Sequence, residues 1–160
     1  MNGSGKTGAF VVPSLMRIDP SVMKVQVIIL AYSRELIRQI SQAIEVMASE
    51  TQIRAVIGEK GLQESGHILV TVPGYLKNRL SARQINLDLT ALKMIIYDEA
   101  DELFVQQTNH ECFLSLKKHL TKLNVTPQHC LYSATYTDAV LEFMRRFIGE
   151  FECFRIKKEA

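Results

Sequence analysis

Along this chain, short runs of β-branched and aliphatic residues alternate with longer stretches in which apolar residues return every three or four positions. Val25–Leu30, Arg54–Ile57, His67–Thr71, Lys93–Tyr97, Gln128–Tyr132 and Glu152–Ile156 read as strands, and five of these six are apolar enough to be buried or nearly so. Thr7–Arg17, Arg34–Ala48, Pro73–Leu80, Asn109–Leu123 and Thr137–Phe147 each carry one apolar face at helical spacing. Pro13 falls inside the first of these, where it deletes a backbone hydrogen bond, so that helix is expected to kink or end its first section near Val12. Strands alternating with helices predict an α/β domain, a mostly parallel sheet with helices on both faces.

Composition narrows this picture. At 160 residues and 47% hydrophobic, the chain suits one domain with a real core. Lys and Arg number 19 against 17 Asp and Glu, with no long block of like charge, so net charge argues for no partner and any nucleic-acid contact must come from local placement. Cys112, Cys130 and Cys153 are odd in number and widely spaced, without a CxxC pair, which favours a reduced, intracellular protein over a zinc site. The longest apolar run, Val27–Ala31, is far short of the ~20 residues that cross a bilayer, and a soluble protein is expected.

Two stretches bring chemistry. Gly3-Ser4-Gly5-Lys6-Thr7 stands directly before a helical segment. Glycines let backbone N–H groups turn inward around a phosphate, the helix presents its positive end, Lys6 adds a mobile cation and the Thr7 hydroxyl can ligate Mg²⁺. A disordered Gly/Ser leader is the plainer alternative, because only the second half of the eight-residue phosphate-loop pattern is present. The second stretch is the apolar run Lys93–Tyr97 followed by Asp98-Glu99-Ala100-Asp101. A strand ending in carboxylates places Asp98 at the carboxyl edge of the sheet, where it can hold Mg²⁺ through water while Glu99 orients the attacking water as general base. An acidic surface turn explains the carboxylates alone but not their presence in a chain that also carries Gly-Ser-Gly-Lys-Thr.

Asp98-Glu99-Ala100-Asp101 is the literal sequence that names the DEAD-box RNA helicases, and Gly3 to Thr7 resembles their phosphate loop. Ser133-Ala134-Thr135 resembles the family's Ser-Ala-Thr motif, which couples ATP state to RNA unwinding; its bland reading is a strand end serving as an N-cap near Thr137. Ser33-Arg34-Glu35-Leu36 resembles the RNA-contacting Pro-Thr-Arg-Glu-Leu motif, with Tyr32 where the family has Pro. Val72-Pro73-Gly74-Tyr75 resembles Thr-Pro-Gly-Arg, although Val72 removes a hydroxyl and Tyr75 a guanidinium; Tyr75 is open to stacking on a base or to packing. Gly58 resembles one glycine of the family's glycine element. The segment Met16–Pro20 is similar to the subgroup linked to messenger-RNA export, with a translation-initiation type helicase as nearest competitor.

The resemblance runs from Gly3 to about Ile156 and implies a RecA-like phosphate-loop NTPase fold, the N-terminal half of an ATP-dependent RNA helicase found in cytoplasm or nucleus. It implies ATP and Mg²⁺ as cofactors, ATP held by Gly3, Ser4, Gly5, Lys6 and Thr7 and Mg²⁺ by Thr7 and Asp98, with Glu99, Lys6 and Asp98 catalytic. It implies RNA at Arg34, Pro73 and Gly74, and a second RecA-like domain and a possible regulatory protein as partners, with no membrane. The family's strand before the phosphate loop has no counterpart in Met1-Asn2, so the sheet is expected to show a gap, a rearrangement or an open edge, and the loop to bind nucleotide weakly. A domain of this kind alone is expected to be inactive, the alternative being a protein-interaction module derived from a helicase.

Overall fold

The computed structural model describes residues 4–59, 65–81 and 87–154. Five strands form one all-parallel sheet: β1 (Val27–Leu30), β2 (Ala55–Gly58), β3 (Ile68–Thr71), β4 (Met94–Asp98) and β5 (Gln128–Tyr132), in the order β2-β3-β1-β4-β5. The helices are α1 (Ser4–Arg17), α2 (Arg34–Met47), α3 (Pro73–Ser81), α4 (Ala100–Val105), α5 (Gln107–Leu123) and α6 (Asp138–Ile148).

The central strands read as unbroken apolar runs because both sheet faces are covered. Val27 and Ile29 point to one face and pack with Phe10 and Val11 of α1 and Ile37, Ile40 and Ile44 of α2. Ile28 and Leu30 point to the other, where Leu76 of α3, Phe104 of α4, Phe113 and Leu116 of α5 and Phe147 of α6 close the second core. From β1 the chain moves outward to β2 and β3, then returns to place β4 on the opposite side of β1. The strand order thus reverses between β1 and β4, and in open α/β sheets a crevice for ligands opens at the carboxyl ends of such a pair.

Three expectations need correction. Of the two outcomes expected near Val12, a kink or an end, the end does not occur: α1 continues to Arg17 and begins at Ser4, earlier than Thr7. The carbonyl that Pro13 cannot bond belongs to Ala9, and both residues face solvent, so water can satisfy it, while Phe10, Val11 and Ile18 hold the two halves against the sheet. Burial extends fully over β1, β3 and β4 only; β5 is half-buried, forming one edge of the sheet among the described residues. Glu152–Phe154 of the sixth expected strand form no strand among the described residues and leave Phe154 88% exposed, whereas Arg155 and Ile156 lie outside the described residues. A strand exists only through its ladder, and apolar composition cannot supply the neighbour. The short helix α4 was not anticipated.

Gly58 shows how tightly the β2 end is packed. A Cβ there would lie 2.5 Å from the Thr71 hydroxyl oxygen and 2.7 Å from the Tyr75 ring, and Thr71 is fully buried with its hydroxyl donating to the Gly58 carbonyl at 3.3 Å. Gly58→Ala is expected to destabilise the fold by about 1–3 kcal/mol, the usual cost of overpacking, read from the urea midpoint. An unchanged midpoint would mean that the Tyr75 ring moves aside freely.

Candidate nucleotide and nucleic-acid site

The site is built from the residues that leave the sheet at its carboxyl edge. β4 ends on Asp98, a residue only 5% exposed, and buried charges are as a rule paired. The partner is Lys6 in the first turn of α1, with Nζ 2.7 Å from Asp98 Oδ1. Two stretches separated by most of the chain therefore meet at one charge pair. Thr7 is half-buried in the same helical turn. Ser4 and Gly5 contribute backbone to that turn, and Gly3 lies outside the described residues.

Glu99 follows in the left-handed region, at φ 49° and ψ 57°. A non-glycine residue there is strained by about 1 kcal/mol or more, and such strain clusters at functional positions. Glu99 occupies the N-cap position of α4 without spending its carboxylate on the cap, while its N–H donates to Asp98 Oδ1 at 3.0 Å. Burial pushes its pKa up; Lys6 pulls against this, and the carboxylates of Asp98, Asp101 and Glu102 push it further up. A carboxyl so tuned is better suited to accept a proton than a free one.

Asp101, three residues after Asp98, is drawn into a second contact. The Thr135 hydroxyl donates to Asp101 Oδ2 at 2.7 Å, Ser133 Oγ accepts from the Asp101 N–H at 3.3 Å, and the same hydroxyl donates to the Thr135 carbonyl at 2.7 Å. Burial works to raise the Asp101 pKa, but the Ser133 and Thr135 hydroxyls and nearby backbone N–H groups outweigh it and the net shift is downward. The N-cap of α6 is Thr137, whose side chain accepts from Val140 N–H, so Ser133 and Thr135 are not needed as caps. Sequence reasoning had not assigned a role to Asp101; its signal was the three-residue spacing from Asp98 across a strand-to-helix turn.

The remaining candidates line the same edge farther along. Ser33 caps α2 by accepting from Leu36 N–H, which places Arg34 in its first turn, exposed and outside any salt bridge among the described residues. Pro73 is buried and starts α3, where proline's missing N–H has no intrahelical partner to lose. Gly74 is exposed, with open space where a Cβ would sit, so an incoming phosphate could approach its backbone closely. Tyr75 packs against Gly58. Two cations here are already paired, Arg38 with Glu59 at 3.4 Å and Lys77 with Glu111. Tyr32, half-exposed at the end of β1, has its phenol pKa raised by Glu99 first, with burial and the carboxylates of Glu102, Glu35 and Asp98 adding to it.

Asp98 and Thr7 offer oxygen donors at this turn, and a hard cation such as Mg²⁺ held there would take phosphate and water oxygens for the rest of its shell.

A sequence profile of the DEAD/DEAH box helicases matches residues 1–143, and the chain belongs to that family. The ATP-dependent RNA helicase dbp5 of Schizosaccharomyces pombe is 35% identical over 163 residues, covering 99% of this chain and 31% of the relative. ATP-dependent RNA helicase DHH1 of Saccharomyces cerevisiae is 34% identical over 152 residues, covering 89% of this chain and 29% of that protein. The structure of S. cerevisiae Dbp5 bound to RNA and ADP BeF3 superposes with a TM-score of 0.83 at 31% identity, over 97% of this chain and 40% of that one. Dbp5 bound to nup159, gle1, ip6 and adp matches with a TM-score of 0.79 at 32% identity, over 92% of this chain and 40% of that one. The chain thus spans about a third of the length of the curated relatives it matches. The parallel sheet with helices on both faces is the RecA-like fold of these helicases. No described helix is long and apolar enough to cross a membrane.

Proposed function

We propose that this chain is the N-terminal RecA-like domain of an ATP-dependent RNA helicase of the Dbp5 group, the messenger-RNA export subgroup of the sequence reading, binding ATP–Mg²⁺ and one side of an RNA strand. The observation that carries this reading is the Lys6–Asp98 pair at the point where strand order reverses, with Glu99 beside it and Asp101 tied to Thr135. In the nucleotide-free domain Lys6 and Asp98 neutralise each other. With nucleotide bound, Lys6 would turn to the β- and γ-phosphates, and the freed Asp98 carboxylate and the Thr7 hydroxyl would hold the cation. The cation's contribution is to neutralise charge developing on the phosphoryl oxygens. Glu99 orients a water in line with the γ-phosphorus and accepts its proton. The Asp101–Thr135–Ser133 link joins the acidic turn to the end of β5, so a shift of one is felt by the other.

RNA reaches the same edge through Arg34 and the exposed backbone at Gly74, while Pro73 acts by starting α3. Dbp5 is known bound to RNA and to nup159 and gle1, which makes RNA and a regulatory protein the partners to test, alongside a second RecA-like domain. Cytoplasm and nucleus are the compartments this assignment implies. In phosphate-loop NTPases an arginine contributed from outside is worth ~10³ or more in rate, so this domain alone should turn over ATP very slowly.

The test is to add a matching second RecA-like domain, covalently or in trans. RNA-stimulated phosphate release should appear, and Lys6→Ala should abolish it together with binding of a fluorescent ADP. Failure with a domain shown to associate would count against the assignment. A second reading, a partner-binding module without catalysis, is favoured by one feature: Val72 and Tyr75 depart from the family motif, and Arg38 and Lys77 are already neutralised by Glu59 and Glu111. Partner capture with no response to ATP or RNA would support it instead.

A further inference from the structure

At the amino-terminal edge of the sheet, away from the nucleotide site, the carboxyl-terminal ends of α5 and α6 and the start of β5 enclose a cleft of 340 Å³. That is within the ~300–1,000 Å³ typical of small-molecule sites. We propose that it binds a small amphipathic carboxylate: an aliphatic or aromatic body carrying one anionic group. The apolar part of the lining comes from Leu116, Leu120, Val125, Phe147 and Ile148. Three basic side chains, Lys117, His129 and Arg146, share the same lining, and among the described residues no carboxylate does.

The geometry holds these basic groups together. Lys117 Nζ donates to the Arg146 backbone carbonyl at 3.4 Å, which ties α5 to α6 where both line the cleft. Lys117 has no acidic partner among the described residues. Arg146 is paired only with Glu142, one turn back on α6, in an exposed contact of the kind that contributes little and that an incoming anion can compete with. Inside the cleft, His129 is fixed by a 2.9 Å bond between its Nδ1 and the Tyr97 hydroxyl. Tyr97 is fully buried, and with its phenol donating to Nδ1 the imidazole would carry its proton on Nε2. Nε2 has no protein partner among the described residues. A carboxylate seated between Lys117 and Nε2 would accept from both while its apolar body covers Leu120 and Phe147.

The experiment is a titration of the ¹⁵N-labelled chain with 4-phenylbutyrate and octanoate, each compared with its uncharged primary amide. Saturable shifts confined to residues 116–129 and 146–149 are expected for the acids, with affinity about tenfold or more weaker for the amides, since charge-assisted hydrogen bonds are lost. Lys117 is exposed, so Lys117→Ala should fold normally and lose about the same tenfold, whereas Lys24→Ala, outside the lining, should bind as the parent does. Leu120→Trp, which fills the cleft, is the second variant and should abolish the shifts. Equal binding of acid and amide, shifts centred on Lys6 and Asp98, or no saturable shift up to the ligands' solubility would each overturn the proposal.

Discussion

Replacing Glu99 with Gln is expected to slow ATP turnover by ~10²–10⁴-fold, the usual contribution of a positioned general base, while nucleotide binding persists. The substitution keeps the size and hydrogen-bonding reach of the side chain and removes only its ability to take a proton. Asp98 and Lys6, on which nucleotide and cation depend in this reading, are untouched. Folding should not suffer either. Burial and three neighbouring carboxylates raise the Glu99 pKa, which means that its ionised form is a burden on the native state that a neutral amide lacks. The measurements are phosphate release and fluorescent-ADP binding, made with a second RecA-like domain joined to this one. Turnover and binding lost together would assign Glu99 to nucleotide positioning; turnover unchanged would remove it from the mechanism.

The second large effect concerns stability in acid. Burial first, and Lys117 second, lower the His129 pKa to about 4, against an ordinary value of 6.5. Between these values the unfolded chain holds a proton that the native imidazole does not, so acidification favours unfolding. The stability at issue is fully present above about pH 6.5 and is lost progressively towards pH 4, by about 3 kcal/mol at 1.36 kcal/mol per pH unit. Asp101, a lowered carboxylate, has the same sign at lower pH: its contribution is present above the ordinary value of 3.8 and lost as pH falls through its lower folded value. The two windows therefore barely overlap. Urea midpoints measured from pH 7 to 4 should fall steeply in the parent and flatten in His129→Leu. The variant has a lower baseline because the Tyr97 hydroxyl loses its partner, so the slope is the informative quantity. Parallel slopes would show that His129 titrates normally.

Much of the molecule could be read from local pattern. Val27–Leu30 and Met94–Asp98 announce buried strands because both their faces are apolar, and Ile37, Ile40 and Ile44 announce one face of α2. Gly-Ser-Gly-Lys-Thr and Asp-Glu-Ala-Asp carry enough chemistry to mark a site when they occur in one chain. What escaped was pairwise. Pro13 breaks a helix by the local rule, yet α1 passes through it because the affected carbonyl faces solvent and the buried face is held on the sheet. Glu152–Phe154 has a strand's composition but no neighbouring strand among the described residues. Tyr75 was open to stacking or packing, and only the fold showed that its ring packs where a Gly58 side chain would sit.

The sequence by itself determined the class of fold, the residue types at the phosphate and carboxylate motifs and the family, because each depends on periodicity or on residues adjacent in the chain. Only the tertiary structure decided that Lys6 meets Asp98, that Thr135 meets Asp101, that Glu99 sits strained and free of its cap, and that Lys117, His129 and Arg146 share one cleft. These are meetings between distant segments, made by the register of parallel strands and the packing of helices over them. No local pattern encodes a distance across a sheet.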